Sequence, residues 1–387
     1  MKKLMTWGLM LVLLLLTIIP GTALADDWFE SDPGYFTLMD ENKKELTVMA
    51  REISVGDEYI SGDNKHYIVT KVDSKKREAY TRLEGEISLP TVSLNDYIEV
   101  AQQQDGSILL YCTHNSESYV PSDGEESTEG DGGINEVAQS FADNLEKKGI
   151  RAVFSKEVHD PHDAGAYRRS RQTAIRLIKE NMPVQAVFDI HRDAVPKDHY
   201  VTKVDGENMS AIRIVLGRRN QNRDANEELA KKLKSVADKT FPGLIKDIFI
   251  GKGGYNQELS PRSLLFEMGT HETTKEAAQK SSAYMAEVVS KAMYGGKVEE
   301  HSQETGEETK DKDNKNDKNA KNNRNNKGKD KEIDIKPINQ EAESKSEGSG
   351  GRSGIVWLLV IVVIGVVAFL FISMGGKELR SKFKGGK

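Results

Sequence analysis

The 387-residue sequence predicts an α/β fold: a mixed sheet with helices on both faces, preceded by a small β module and followed by a disordered tether and a transmembrane helix. Three observations predict it. From about Ile98, apolar runs bounded by turn residues alternate with stretches whose apolar residues recur at i, i+3 and i+4. Upstream, Gly-Asp and Asp-Asn pairs break the chain into short alternating segments. Near the C-terminus, Ile355–Ser373 is apolar, uncharged and long enough to span a bilayer.

The first residues have the order of an export signal: Lys2 and Lys3, an apolar stretch from Leu4 to Ile19, Pro20, then Ala23-Leu24-Ala25 ahead of Asp26. Residues 1–25 are expected to be a signal peptide or an uncleaved anchor. Residues 27–97 form the expected β module, with turns at Gly56-Asp57 and Gly62-Asp63-Asn64 between half-buried strands. Its expected role is a spacer or docking platform. The α/β domain covers 98–296. Strands are expected at Ile108–Cys112, Ala152–Phe154, Ala186–Ile190, Ile212–Leu216 and Ser263–Glu267, and helices at Val137–Leu145, Tyr167–Met182, Glu227–Val236 and Thr273–Met293.

Residues 297–354, which include KDKDNKNDKNAKNNRNNKGKDK, offer too little apolar area to offset chain entropy and read as a disordered charged linker. Beyond the span at 355–373, the tail 374–387 carries Lys377, Arg380, Lys382, Lys384 and Lys387 against Glu378. That excess places the tail in the cytoplasm and everything before Ile355 outside. The net charge of -6 and the scattered basic residues point away from nucleic acid as a partner. Cys112 is the sole cysteine, so no intramolecular disulfide forms, and a lone buried thiol is expected to be inert packing.

The chemistry collects where strands end, as it does in open α/β sheets. His114-Asn115-Ser116-Glu117 follows a buried strand, His191 lies one residue past another, and Glu267 ends a third. Zinc in a hydrolase takes about three N or O ligands plus a position for water, with a separate carboxylate for that water's proton. His114, Glu117 and His191 are the expected ligands and Glu267 the expected proton carrier. Asp189, two residues before His191, is placed to accept the second imidazole N–H. Arg171 and Arg192 are candidates to bind peptide carboxylates or to stabilise an oxyanion. His159, His162 and Asp163 in the HDPHDAG loop border the expected cleft, and His271 is a candidate to support it from behind.

THNSESY at 113–119, YRRSRQT at 167–173, FDIHRDA at 188–194 and LLFEMGTHETT at 264–274 together resemble the stage II sporulation protein P family. The resemblance runs from about Ile108 to Met293. That family is similar to the zinc-dependent N-acetylmuramoyl-L-alanine amidases, so the resemblance implies a zinc amidase or peptidase-like fold and cleavage of peptidoglycan between N-acetylmuramic acid and L-Ala, with endopeptidase activity also ascribed to the family. It further implies work in spore engulfment beside stage II sporulation proteins D and M, in the space between the two membranes. By the matching motifs, His114 and His191 carry over as zinc sites and Glu267 as the catalytic acid. Amidases of the wider group take their metal Glu from the start of the first helix, the place of Glu136, which leaves Glu136 as the alternative to Glu117. A zinc carboxypeptidase or endopeptidase acting on stem peptides, and a non-catalytic wall-binding scaffold, are the competing functions.

Overall fold

The computed structural model describes residues 34–92, 106–163, 165–295 and 298–299. The expected signal segment, the membrane span, the basic tail and nearly all of the linker lie outside the described residues. Among the described residues, no helix is long and apolar enough to cross a membrane.

The strands are β1 (Phe36–Met39), β2 (Glu45–Met49), β3 (Glu58–Ile60), β4 (Lys65–Asp73), β5 (Glu78–Glu86), β6 (Thr91–Val92), β7 (Ser107–Tyr111), β8 (Ala152–Phe154), β9 (Val184–Asp193), β10 (Val201–Val204), β11 (Glu207–Ser210), β12 (Ile212–Gly217), β13 (Ile245–Gly251), β14 (Ser263–Thr270) and β15 (Val298–Glu299). The helices are α1 (Val120–Asp123), α2 (Ile134–Glu146), α3 (Ala166–Glu180), α4 (Arg223–Thr240) and α5 (Lys275–Tyr294). An 11-stranded mixed sheet runs β2-β1-β5-β4-β3-β13-β12-β14-β9-β7-β8. Strands β8, β7, β9 and β14 are parallel neighbours, β14 is antiparallel to β12, and β12 is parallel to β13.

Each helix forms for a local reason. Ile134, Val137, Ala138, Phe141, Ala142 and Leu145 of α2 are buried at helical spacing and make one apolar stripe. Thr274 caps α5, its hydroxyl accepting from the Ala277 amide at 3.1 Å. Helices α2, α4 and α5 share a core with Ile108, Leu110, Phe188, Ile190, Ile214 and Phe266. Ala174 and Leu177 of α3 pack instead with Leu109, Tyr111 and Val187, which alternate onto the opposite face. That second face is covered further along by the N-terminal strands, whose Phe36, Leu38, Met49, Tyr59 and Tyr67 pack with Val215, Phe249 and Leu265.

Several expectations change in detail. The strands of the expected β module extend the main sheet, since β3 pairs antiparallel with β13 and their apolar residues join its core. Strand β13 and the β10–β11 hairpin have no counterpart in the sequence reading; IKDIFIG carries a lysine and an aspartate that masked an apolar run. Val298–Glu299, at the start of the expected linker, pairs antiparallel with Thr91–Val92. Strands β9 and β14 continue beyond their apolar runs, so His191 and Glu267 sit inside strands. The extension is possible because those polar residues are register partners on adjacent strands and lie side by side on one face of the sheet.

That register continues sideways as a charged row: His191 opposite Glu267, Glu267 opposite Arg213, and Arg213 opposite Asp247. Arg213 is fully buried and donates to Asp247 Oδ1 at 2.6 Å and to Asp193 Oδ2 at 2.9 Å. Burial disfavours the Asp247 carboxylate, but the Arg213 and Lys246 cations overcome it and hold its pKa below the usual range. A depressed carboxyl pKa stabilises the fold above the unfolded-state value, near pH 4, and the contribution fades as pH falls. Arg213→Met strands two buried carboxylates and is expected to cost about 3–5 kcal/mol in urea unfolding at neutral pH. The variant should also lose part of the parent's destabilisation below about pH 4; an unchanged midpoint and acid profile would contradict the assignment.

Candidate active site

The site begins where β7 ends. Thr113 turns the chain away from the sheet, with its amide and hydroxyl both bound to Asp189 at 2.8 and 2.6 Å. The next residues form a tight loop closed by Glu117 N–H on the His114 carbonyl at 3.1 Å. Ile134 N–H on the Glu117 carbonyl and Gly132 N–H on the Asn115 carbonyl, at 3.0 and 2.8 Å, bind that loop to the start of α2. Gly132 is required by close approach, since a Cβ there would meet the Glu117 carbonyl oxygen at 2.2 Å.

Two imidazoles meet on one carboxylate oxygen. His114 Nδ1 lies 3.4 Å and His191 Nδ1 3.3 Å from Glu117 Oε1, and the three side chains are almost wholly inaccessible to solvent. Glu117 Oε2 accepts the Arg192 backbone N–H at 2.8 Å. Burial alone would raise the Glu117 carboxyl, but His191, His114 and Arg192 hold it well below the carboxylate range. His191 Nε2 is 3.0 Å from Asp189 Oδ1, so a second carboxylate lies behind the ring at ion-pair distance. Burial opposes its charged form, and Asp189 with Glu117 outweighs that and raises its pKa.

His162 joins from the segment that begins at His159, its ring centroid 4.0 Å from that of His114. Donor atoms of His114, Glu117 and His162 all lie within 4.8 Å of one another, a grouping that could hold a metal ion. The sequence expectation had His191 in that place. The structure brings both histidines to the same carboxylate neighbourhood, His191 from a rigid strand and His162 from a partly exposed loop. Two imidazoles and a carboxylate, with a carboxylate supporting one ring from behind, suit a borderline cation that prefers N and O ligands.

Other candidates fall elsewhere. Glu136 is exposed and paired with Lys275 at 2.7 Å. Arg171 pairs with Glu258. The Arg192 guanidinium donates to the Ser118 and Glu126 carbonyls at 3.2 and 2.9 Å, which commits it to holding the Glu117 loop. His159 is a structural wedge, with ring nitrogens 2.8 Å from the Cys112 carbonyl and from the Thr173 hydroxyl. Asp163 accepts from Arg169 at 2.6 Å. The His271 amide donates to the Asp193 carbonyl at 3.1 Å, so its backbone braces the end of β9. Cys112 is buried, and burial pushes its thiol pKa up, which keeps it protonated.

Glu267 carries an interaction absent from the sequence reading. Arg51, just past β2, forms a buried ion pair with Glu267 Oε1. The guanidinium also lies over the Tyr255 ring, 5.7 Å from its centroid. Burial pushes the Glu267 carboxyl up to about 7, against the pull of Arg51. Tyr167 lines the same region, its ring 5.6 Å from His114 and 6.4 Å from His191. Arg51 and Tyr255 stand in no recognisable pattern, and only the tertiary fold brings them here.

The sequence model of the family described as stage II sporulation protein P matches residues 28–290, and so covers the N-terminal strands together with the whole site. The chain belongs to this family. Stage II sporulation protein P of Bacillus subtilis (strain 168) is 28% identical over 216 residues, 51% of this chain and 54% of that protein. The chain thus matches about half the length of this curated relative. Among solved structures, the N-acetylmuramoyl-L-alanine amidase from Clostridium difficile 630 aligns with 15% identity and a TM-score of 0.31, over 49% of this chain and 95% of that one. The CwlD amidase from Clostridioides difficile, solved in complex with the GerS lipoprotein, aligns with 10% identity and a TM-score of 0.35, over 48% and 98%.

The geometry separates the two glutamates in a stage II sporulation protein P chain of this kind. Glu117→Gln should lower the divalent metal retained after dialysis, measured by mass spectrometry of the elements, whereas Glu136→Gln should retain the parental amount. Metal lost from the Glu136 variant and kept in the Glu117 variant would reverse the assignment.

Proposed function

We propose that the protein is a zinc-dependent N-acetylmuramoyl-L-alanine amidase of peptidoglycan, working in sporulation. The observation that carries this reading is the convergence of His114 and His191 on one buried Glu117 oxygen, with a separate carboxylate, Glu267, beside His191 on the next strand. Membership of the stage II sporulation protein P family supports the setting.

In this reading His114, Glu117 and His191 hold zinc, and His162 stands at the loop side of the cluster. Bound zinc would supply Lewis acidity to the scissile carbonyl and to the attacking water. Glu267, with its carboxyl near neutrality, takes a proton from that water and passes it to the departing nitrogen of L-Ala. The C–N bond breaks, leaving a carboxylate on the lactyl group and a free amine on the stem peptide. Arg192 contributes through its amide, which fixes Glu117, and Asp189 places a charge behind the His191 ring.

The rest of the proposal concerns setting. The apolar stretch Ile355–Ser373 and the basic tail after it support a membrane anchor with the hydrolase outside the cytoplasm, in the intermembrane space of a sporulating cell. Stage II sporulation proteins D and M are the partners such a setting calls for.

Digestion of purified cell wall, with products identified by mass spectrometry, tests the reaction. Intact stem peptides with a free L-Ala amine are expected; shortened peptides alone would indicate a stem-peptide peptidase, and no release a wall-binding scaffold. Glu267→Gln should retain zinc and lose turnover by about 10²–10⁴-fold. Parental turnover in that variant would remove Glu267 from the mechanism.

A further inference from the structure

We propose that Arg51 is a positioning residue for Glu267, so that the N-terminal strands supply a working part of the active site. The inference rests on the reading of Glu267 as the proton-transfer group. Arg51 and Glu267 are each 3% exposed, and Arg51 is paired with Glu267 Oε1. The other oxygen, Glu267 Oε2, is buried and has no hydrogen-bond partner among the described residues. Holding one carboxylate oxygen against the guanidinium restricts rotation of the carboxyl and so limits the directions its second oxygen can take. In this chain the second oxygen is the one left over for water and substrate. His191, the register partner of Glu267 on the adjacent parallel strand, points to the same face of the sheet.

The residues before Arg51 show that its placement is itself controlled. Thr47 Oγ1 accepts from Arg213 Nη2 at 2.6 Å, the Val48 carbonyl accepts from Arg213 Nη1 at 3.0 Å, and Ala50 N–H donates to Asp193 Oδ1 at 3.0 Å. Asp193 lies two residues beyond His191 on β9, and Arg213 is the register partner of Glu267 on β12. The end of β2 is therefore tied to the strands on both sides of Glu267. Tyr255 adds a ring against the guanidinium. A spacer module would need none of these ties.

The full chain carrying Arg51→Met or Arg51→Lys, alone and with Glu267→Gln, tests the proposal through kcat, KM, zinc content and melting temperature. Arg51→Met should keep zinc and KM while kcat falls about 10²-fold, the scale of a misplaced catalytic group. Arg51→Lys, which restores the charge without the planar fork, should recover about tenfold of that loss. Neither change should lower turnover further in the Glu267→Gln background, where the positioned group is already gone. A parental kcat in Arg51→Met, an undiminished effect beside Glu267→Gln, or a loss of kcat that follows loss of zinc would each overturn the role. If Arg51→Met does not fold, Arg51→Lys carries the same comparison, with reduced kcat at parental KM expected and parental kcat contradictory. A parent without hydrolase activity would defeat the amidase reading instead. The ion pair would then be judged by melting, where Arg51→Met should lower the midpoint more than the double variant does; equal or additive shifts would reject it.

Discussion

Four neighbouring strands of this protein carry ionisable residues in register at the centre of a dry sheet, and everything else must make that burial tolerable. His191, Glu267, Arg213 and Asp247 lie side by side on β9, β14, β12 and β13. An isolated charge in such surroundings costs several kcal/mol even after relaxation. The cost is offset by alternating the signs along the row and by covering it with a second layer that brings its own partners. Thr47, the Val48 carbonyl, the Ala50 amide and Arg51 all come from that layer. The N-terminal strands and the central sheet are thus one electrostatic unit as well as one hydrogen-bonded sheet.

The metal-binding candidates stand at one end of the row and use a different device. Strand β7 supplies a rigid start, and the turn that follows it is locked by backbone bonds to the beginning of α2 and by His159 from below. Glu117 is held from three directions: His114 within its own loop, His191 from the sheet, and the Arg192 amide beyond it. Rigidity of this kind favours a ligand set that exists before the ion arrives, and it confines adaptation to the loop that carries His162. Tyr167 of α3 lies against the His114 and Tyr255 rings and shares an apolar cluster with Phe36, Leu38 and Met49 of the N-terminal strands, which connects the two halves of the site.

Much of this was legible in the sequence because the signals were local. Ile108–Tyr111 is an unbroken run of large apolar and aromatic residues, and the helices announce themselves by apolar spacing, so the order of strands and helices from β7 to β9 follows directly. The pair His114 and Glu117 was legible because the loop that joins them is short. What escaped depends on distance along the chain. Arg51 is separated from Glu267 by 216 residues, and a lone arginine in a segment of short strands carries no mark of its partner. Strand β13 escaped because Lys246 and Asp247 interrupt its apolar pattern, and Asp247 is there to meet Arg213. The charges that hide the strand from a hydropathy reading are the ones that hold the charged row together. His191 and Glu267 were placed at strand ends for the same reason, since polar residues in the middle of a buried strand contradict the usual pattern unless the neighbouring strand answers them.

Glu117 is the hub on which His114 and His191 converge, and the proposed zinc would sit there. Anomalous diffraction at the zinc edge from crystals of the protein grown with zinc measures this most directly. A single strong peak is expected within bonding distance of Glu117, His114 and His191. A peak bonded to Glu136, or one away from Glu117 altogether, would contradict it.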